Sequence, residues 1–333
     1  FDMRLSWGDY FPGISAYYAT SRGEMWSFPY NSSTAVMYWN RAAWRSIGRN
    51  APPATWEEME RDMRALRAAG HVCPHTFDFD TWANLEQLSA IHNQPIATRN
   101  NGYDGLDAEL VVNRGLIPRH YGNLRRWMEE GLARINTAQT GRTIIQAFAD
   151  GTCASMLSSI ANHGVIGSTA RDGLEWGVAM IPVYEGFQRH NSLVGGASLW
   201  VMQGKSREEY QAAAAFLDFV LSREEVEWMP RVTGYIPITQ PAYQEMLRTG
   251  FYAGAPYAGR EVAMQSLTYT PPTPLTRGIR LGNFTSIRAE LRSELEAAFT
   301  GRKTVQQALD DAVARSNSIL RRFEQTMRGR QLP

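Results

Sequence analysis

Short β-like runs alternate with amphipathic helices along this chain, and no long linker interrupts them; that order is the one an α/β protein uses. Residues 35–39, Ala-Val-Met-Tyr-Trp, read as a buried strand. Pro52-Pro53 then breaks the chain, and Thr55 with Glu58 has the spacing of a capping box. Behind it Trp56, Met59, Met63 and Leu66 recur at helical spacing, and Gly70 ends the helix. Asn101-Gly102 and Asp104-Gly105 mark turns. Residues 143–149 read as a helix that stops at Asp150-Gly151. Strands are expected over 153–157, 177–183 and, after Gly195-Gly196, within 194–202. Ser206 with Glu209, and Ser222 with Glu225, cap two more helices. Thr304 and Gln307 open a long last helix with Val305, Leu309, Ala312, Ser316, Ile319 and Phe323 on one face. Any boundary between lobes must therefore be crossed by short segments, as in a hinged two-lobe protein.

Charge and composition narrow the function by exclusion. With 34 basic and 33 acidic side chains the net charge is +1, without the basic excess that a nucleic-acid surface needs. No apolar run approaches the roughly 20 residues of a membrane-spanning helix. The chain starts at Phe1 without a basic-then-apolar leader, so either a targeting segment has been removed or the chain begins inside a longer protein. The 10 Trp, 14 Tyr and 13 Phe suit small polar ligands, whose C–H faces stack on aromatic rings, although core packing takes most of them. Cys73 and Cys153 are compatible with a disulfide or with two thiols, and their spacing decides neither.

Catalytic chemistry finds no anchor. His71-Val-Cys73-Pro-His75 clusters metal-ligand types, but no second pair at zinc spacing follows, so no metal is assigned. Asp78, Asp80 and Glu86 are carboxylates that a glycosidase would use; they are read instead as solvated or ligand-bonding groups. No nucleophile elbow, Walker loop or dinucleotide fingerprint follows a strand, so no catalytic residue and no cofactor is assigned. Three other segments fit ligand capture. Asn31-Ser-Ser-Thr34 places hydroxyls just before a strand, and Ser158-Ser159 does so just after one. Gly195-Gly-Ala-Ser198 lets backbone N–H groups approach an anion. Such donors with one arginine fork are what a phosphate ester needs, since its oxygens only accept hydrogen bonds.

Four motifs carry a resemblance: Pro29-Tyr-Asn-Ser-Ser-Thr34, Val194-Gly-Gly-Ala-Ser-Leu-Trp-Val-Met-Gln-Gly-Lys205, Thr233-Gly-Tyr-Ile-Pro-Ile-Thr239 and Arg280-Leu-Gly-Asn283. From about Gly13 to Phe323 the chain resembles the glycerol-3-phosphate-binding proteins of Ugp-type ABC importers. These lie within the extracellular solute-binding family that includes the maltose-binding proteins. The resemblance implies an α/β, two-lobe periplasmic binding protein fold of type II, with hinge strands between lobes. Residues 1–33 would end lobe 1 and lead into the hinge, 34–194 would form most of lobe 2, 195–258 would return to lobe 1, and 259–333 would complete lobe 2. Nothing here matches the family's first strand–helix units of lobe 1, so that lobe is expected to be incomplete.

The same resemblance implies a ligand site. Ser33, Gly196 and Tyr235 are expected on one side, and Ser159, Phe79, Trp82 and Arg288 on the other. Arg288 is expected to meet the phosphate, with Arg280 in a structural role. Phe79, where the family has Trp, keeps an apolar face but lacks the indole donor. The implied protein is a monomeric, non-enzymatic periplasmic receptor that hands glycerol-3-phosphate or a glycerophosphodiester to an ABC permease, without nucleic acid. A sugar-binding receptor of the same fold is the alternative, and a carbohydrate-active hydrolase using Asp78, Asp80 or Glu86 is the rival from another class.

Overall fold

The computed structural model describes residues 3–330. Two strands, β1 (Phe28–Ser33) and β7 (Gly195–Leu199), pair antiparallel as a ribbon. Five others form one mixed sheet: β2 (Ala35–Asn40), β3 (His75–Phe77), β4 (Ala133–Ile135), β5 (Ser155–Ser159) and β6 (Trp176–Ala179). Their order is β4-β3-β5-β2-β6; β2 runs antiparallel to β5 and β6, and β3 parallel to β4 and β5.

β2 is buried along its whole length, which is why it reads as an unbroken apolar run. Its side chains alternate between two cores. Ala35, Met37 and Trp39 join the core that includes the helices Trp56–Ala68, Leu116–Glu129, Phe284–Phe299 and Val305–Met327. Val36 and Tyr38 join the second core, with Ile14 from one end of the chain and Leu217, Val226, Ala242 and Met264 from helices after the ribbon. On Trp56–Ala68 the periodic residues Trp56, Met59, Met63 and Leu66 are all buried, each contributing roughly 1.5–3 kcal/mol. Thr55 Oγ1 accepts from the Glu58 N–H at 3.1 Å, while the Glu58 carboxylate accepts from Ala54, one residue earlier than a capping box requires. The last two helices share the first core. Their buried Glu294 is neutralised by Lys303 and Arg315, each at 2.6 Å. Helices Arg207–Val220 and Arg223–Val232 leave Phe216, Phe219, Trp228 and Val232 exposed, an apolar face of the kind that packs against further structure.

Three strand expectations shift. β5 begins at Ser155, two residues later than the apolar run suggests. The Cys153 N–H is already committed to Ala147 O and its sulfur to a disulfide with Cys73, so the ladder opens with Ser155 opposite Trp39. β6 stops at Ala179, and Val183 instead makes an isolated parallel bridge with Thr55. β7 stops at Leu199, beyond which Trp200, Val201 and Met202 are exposed.

Buried histidines give the fold a pH dependence. Burial pushes His75, His92 and His163 down to about 4 from the ordinary 6.5, and His120 well below 6.5. His92 is held neutral by geometry: Nδ1 donates to Leu88 O at 2.7 Å and Nε2 accepts from the Tyr184 N–H at 2.9 Å. Between pH 6.5 and about 4 the unfolded chain binds more protons than the folded one. Stability present above pH 6.5 is therefore lost as pH falls through that window. Thermal melts are expected to show a Tm that drops below pH 6.5; a flat Tm down to pH 4.5 contradicts neutral burial.

Candidate functional site

The site is built where the ribbon meets the sheet. β1 passes into β2 through one residue, Thr34, which is fully buried. Its Oγ1 donates to Leu193 O and accepts from Ser192 Oγ, both at 2.7 Å. The outgoing and returning crossings are thereby clamped together. Ladder register then sets the neighbours: Ser33 lies opposite Gly195, Ser32 opposite Gly196, and Ala35 opposite Ser159. Ser33 lies two positions before Ala35, the partner of Ser159, so the two serines sit at the same end of the β2–β5 ladder. The hydroxyl segments are thus parts of strands. Asn31 to Ser33 lie inside β1, and Ser158 and Ser159 end β5, because both continue the ladders past the apolar residues.

Close backbone contacts shape the walls. Gly196 has φ +107°, and a Cβ there would fall 1.8 Å from Asn31 O, so only glycine keeps the ribbon paired. A Cβ on Gly195 would strike Trp82 Cζ2 at 2.5 Å; bare backbone lies against the indole. Gly234 rests on the Ala161 backbone, where a Cβ would come within 2.2 Å of the carbonyl oxygen. The Ile236 N–H donates to Ser32 O at 2.9 Å. Tyr235 is held between these two anchors. The Ser159 hydroxyl caps the turn beneath it, accepting from the Ala161 N–H at 3.1 Å.

A π-helical segment, Trp82–Gln87, supplies three groups at once. Such widened turns recur at functional sites. Trp82 forms a wall. Gln87 brackets Leu193, donating to its carbonyl and accepting from its N–H, each at 2.9 Å. Glu86 forks onto Arg288 of Phe284–Phe299: Nε to Oε2 at 2.9 Å and Nη2 to Oε1 at 2.5 Å. Asp78 and Asp80 shape the turn that delivers Trp82, accepting from the N–H groups of Asp80 and Trp82 respectively.

Six of the seven expected residues, Ser33, Trp82, Ser159, Gly196, Tyr235 and Arg288, line one cleft of ≈ 370 Å³. Phe79 does not. It lies two residues beyond Phe77, past the end of β3, and both rings lie beside Phe299 at 5.1 and 6.3 Å. Arg280 lies outside the lining and donates to Ala19 O at 3.4 Å. Burial works against the Arg288 charge, but the Glu86 hydrogen bonds and carboxylate outweigh it and hold its pKa above the ordinary value. Among the described residues no group of three or more His, Cys, Asp or Glu is placed to hold a metal ion; His75 bonds Ser155 Oγ at 2.8 Å and Cys73 is in the disulfide. No helix is long and apolar enough to cross a membrane among the described residues.

A family model described as bacterial extracellular solute-binding protein matches residues 6–253. The sn-glycerol-3-phosphate-binding periplasmic protein UgpB of Yersinia enterocolitica is 40% identical over 322 residues, covering 95% of this chain and 72% of that protein. The chain belongs to the bacterial extracellular solute-binding proteins. A UgpB of Escherichia coli O1:K1 is 38% identical over 323 residues, with 95% and 72% coverage. Among solved structures, UgpB from Mycobacterium tuberculosis in complex with glycerophosphocholine superposes with TM-score 0.77 at 22% identity, covering 95% of this chain and 75% of that one. Maltose-bound MalE3 of T. maritima superposes with TM-score 0.72 at 16% identity, covering 93% and 76%. These likenesses establish the periplasmic binding protein fold.

For a solute-binding protein, the arrangement offers hydroxyls, backbone and one cation around an aromatic wall, without a nucleophile–base pair. Four lining residues escaped sequence reasoning: Tyr17 and Tyr18, which end the helix Pro12–Tyr18, and Ala161 and Val194; Gly195 lines the cleft beside Gly196, within the glycine segment already singled out. Burial, and then the Glu86 charge, raise the Tyr17 pKa, so its hydroxyl stays a neutral donor. Glu86 stood out in the sequence only as a solvated or ligand-bonding carboxylate; nothing local marked it as the group that holds the arginine.

Proposed function

We propose that this chain is the periplasmic substrate-binding component of an ABC importer, capturing sn-glycerol-3-phosphate or a glycerophosphodiester and delivering it to membrane permease subunits. The observation that carries this reading is the cleft itself: among the described residues Arg288 is the one charged residue lining it, and Ser33, Ser159, Gly196 and Tyr235 surround it with neutral donors. The ribbon and the clamped crossings at Thr34 and Leu193 act as the hinge, with lobes divided near residues 33, 194 and 258. A ligand touching both sides favours the closed form by its differential contacts, and the monomer then docks on the permease. No bond is made or broken.

A thermal-shift series with glycerol-3-phosphate, glycerophosphocholine and maltose tests this. At a hundredfold excess over Kd a bound ligand adds about 2.7 kcal/mol. Either phosphate ester is expected to raise Tm, and maltose to leave it unchanged. A rise with maltose alone moves the assignment to the sugar-binding branch of the fold. Product release from a chromogenic glycoside moves it to a hydrolase.

A further inference from the structure

Glu86 is buried, and both of its oxygens are spent inside the protein. Arg288 donates to each of them, and Thr81 Oγ1 donates to Oε2 at 2.9 Å. The guanidinium also lies over the Phe284 ring, 4.8 Å from its centroid. Two faces of Arg288 are therefore fixed before any ligand arrives. Of its five N–H groups, Nε and one on Nη2 point at Glu86, leaving the Nη1 pair and the second Nη2 hydrogen for the cleft. The arginine cannot offer its Nε–Nη2 fork to a phosphate while this pair stands. Its positive charge is also matched at 2.5 Å by a carboxylate, and no second cation lines the cleft among the described residues.

We infer that Glu86 is the specificity-determining residue of this cleft: by fixing Arg288 and cancelling its charge, it selects a singly charged phosphodiester over a doubly charged phosphomonoester. The inference rests on the glycerophosphate reading above. A monoester carries close to two charges at neutral pH because its second pKa is near 6, whereas a diester carries one throughout. The second charge meets no unmatched cation here and approaches a buried carboxylate.

Charged and titratable groups face Glu86 from several elements. Arg288 faces it from Phe284–Phe299, and the charge of Glu86 is felt by Tyr17 of Pro12–Tyr18 and Tyr121 of Leu116–Glu129. Asp80 and Asp78 lie on its own side, and burial raises the Asp78 pKa. Glycerophosphocholine does not titrate between pH 5.5 and 8, so its binding reports any change in the protein, Asp78 included.

Isothermal titration calorimetry at pH 5.5 and 8 separates the outcomes. The wild-type protein is expected to bind glycerophosphocholine equally at both, and glycerol-3-phosphate about tenfold or more weakly at pH 8 than at 5.5. In Glu86→Gln, which keeps shape and an acceptor, that pH gap closes and the monoester gains on the diester at pH 8. Glu86→Asp keeps the charge with a shorter reach; it is expected to weaken both ligands and keep the diester preference. A role in folding alone scales both ligands by one factor at both pH values, and that result overturns the inference. So does a wild-type protein that prefers the dianion, a measurement that needs no variant. If neither ester binds the wild type at either pH, it is the glycerophosphate reading that fails.

Discussion

Arg288→Ala is expected to weaken glycerophosphodiester binding by about 2–5 kcal/mol, roughly thirtyfold to several thousandfold in Kd. Two losses combine. The ligand loses the one cationic donor that lines the cleft among the described residues, and Glu86 is left buried with only Thr81 to satisfy it. The second loss also lowers stability, by less than the about 3–5 kcal/mol of a fully buried pair, since the Arg288 side chain is one-third exposed. Circular dichroism and a melt must therefore establish that the variant is folded at the temperature of the titration. Arg288→Lys isolates geometry from charge, because an ammonium cannot form the two-pronged contact with Glu86. It is expected to bind more weakly than wild type and more tightly than the alanine variant. Calorimetry showing unchanged affinity in a folded Arg288→Ala protein removes this residue from the site.

What the sequence disclosed follows from how local each signal is. The strand 35–39, the helix from Trp56 and the capped helices after Ser206 and Thr304 are set by neighbours within a few residues, and they stand where the periodicity puts them. Strand ends are decided by long-range pairing. β5 slid because Cys153 is tied to Cys73, 80 positions away and outside any local window, and spends its N–H on Ala147 O. Six cleft residues were named through family motifs; the ladder registers give the physical reason that three of them, Ser33, Ser159 and Gly196, meet. Phe79 was placed by counting from Trp82, yet it lies two residues past the end of β3, with its ring beside Phe299. The Glu86–Arg288 pair was out of reach for a related reason: 202 positions separate its members. A lone glutamate on a short helix gives no hint of which arginine folds back onto it.

The disulfide is expected to carry the largest single share of stability. Cys73 and Cys153 are both buried, and their bond spans a separation of 80 residues. Closing a loop of that length removes about 4–5 kcal/mol of conformational freedom from the unfolded chain by the loop-entropy relation. Domains are stable by only about 5–15 kcal/mol, so this term is decisive. The bond sits just ahead of β3 and β5, and Ala154 N–H donates to Cys73 O at 2.8 Å beside it. It thus pins the start of two neighbouring strands, whereas Ser159, the cleft residue, lies at the far end of β5, four residues downstream of Ser155. Urea unfolding followed by tryptophan fluorescence is expected to show a much lower midpoint for Cys73→Ala/Cys153→Ala, and for wild type in reductant, than for the oxidised protein. Ligand affinity measured well below that midpoint is expected to change little, because the cleft end of β5 is held independently by its ladder with β2 and by the clamp at Thr34. Equal midpoints with and without reductant would show that the crosslink does not limit the unfolded chain. A large loss of affinity in a folded, disulfide-free protein would instead tie the bond to the geometry of the cleft.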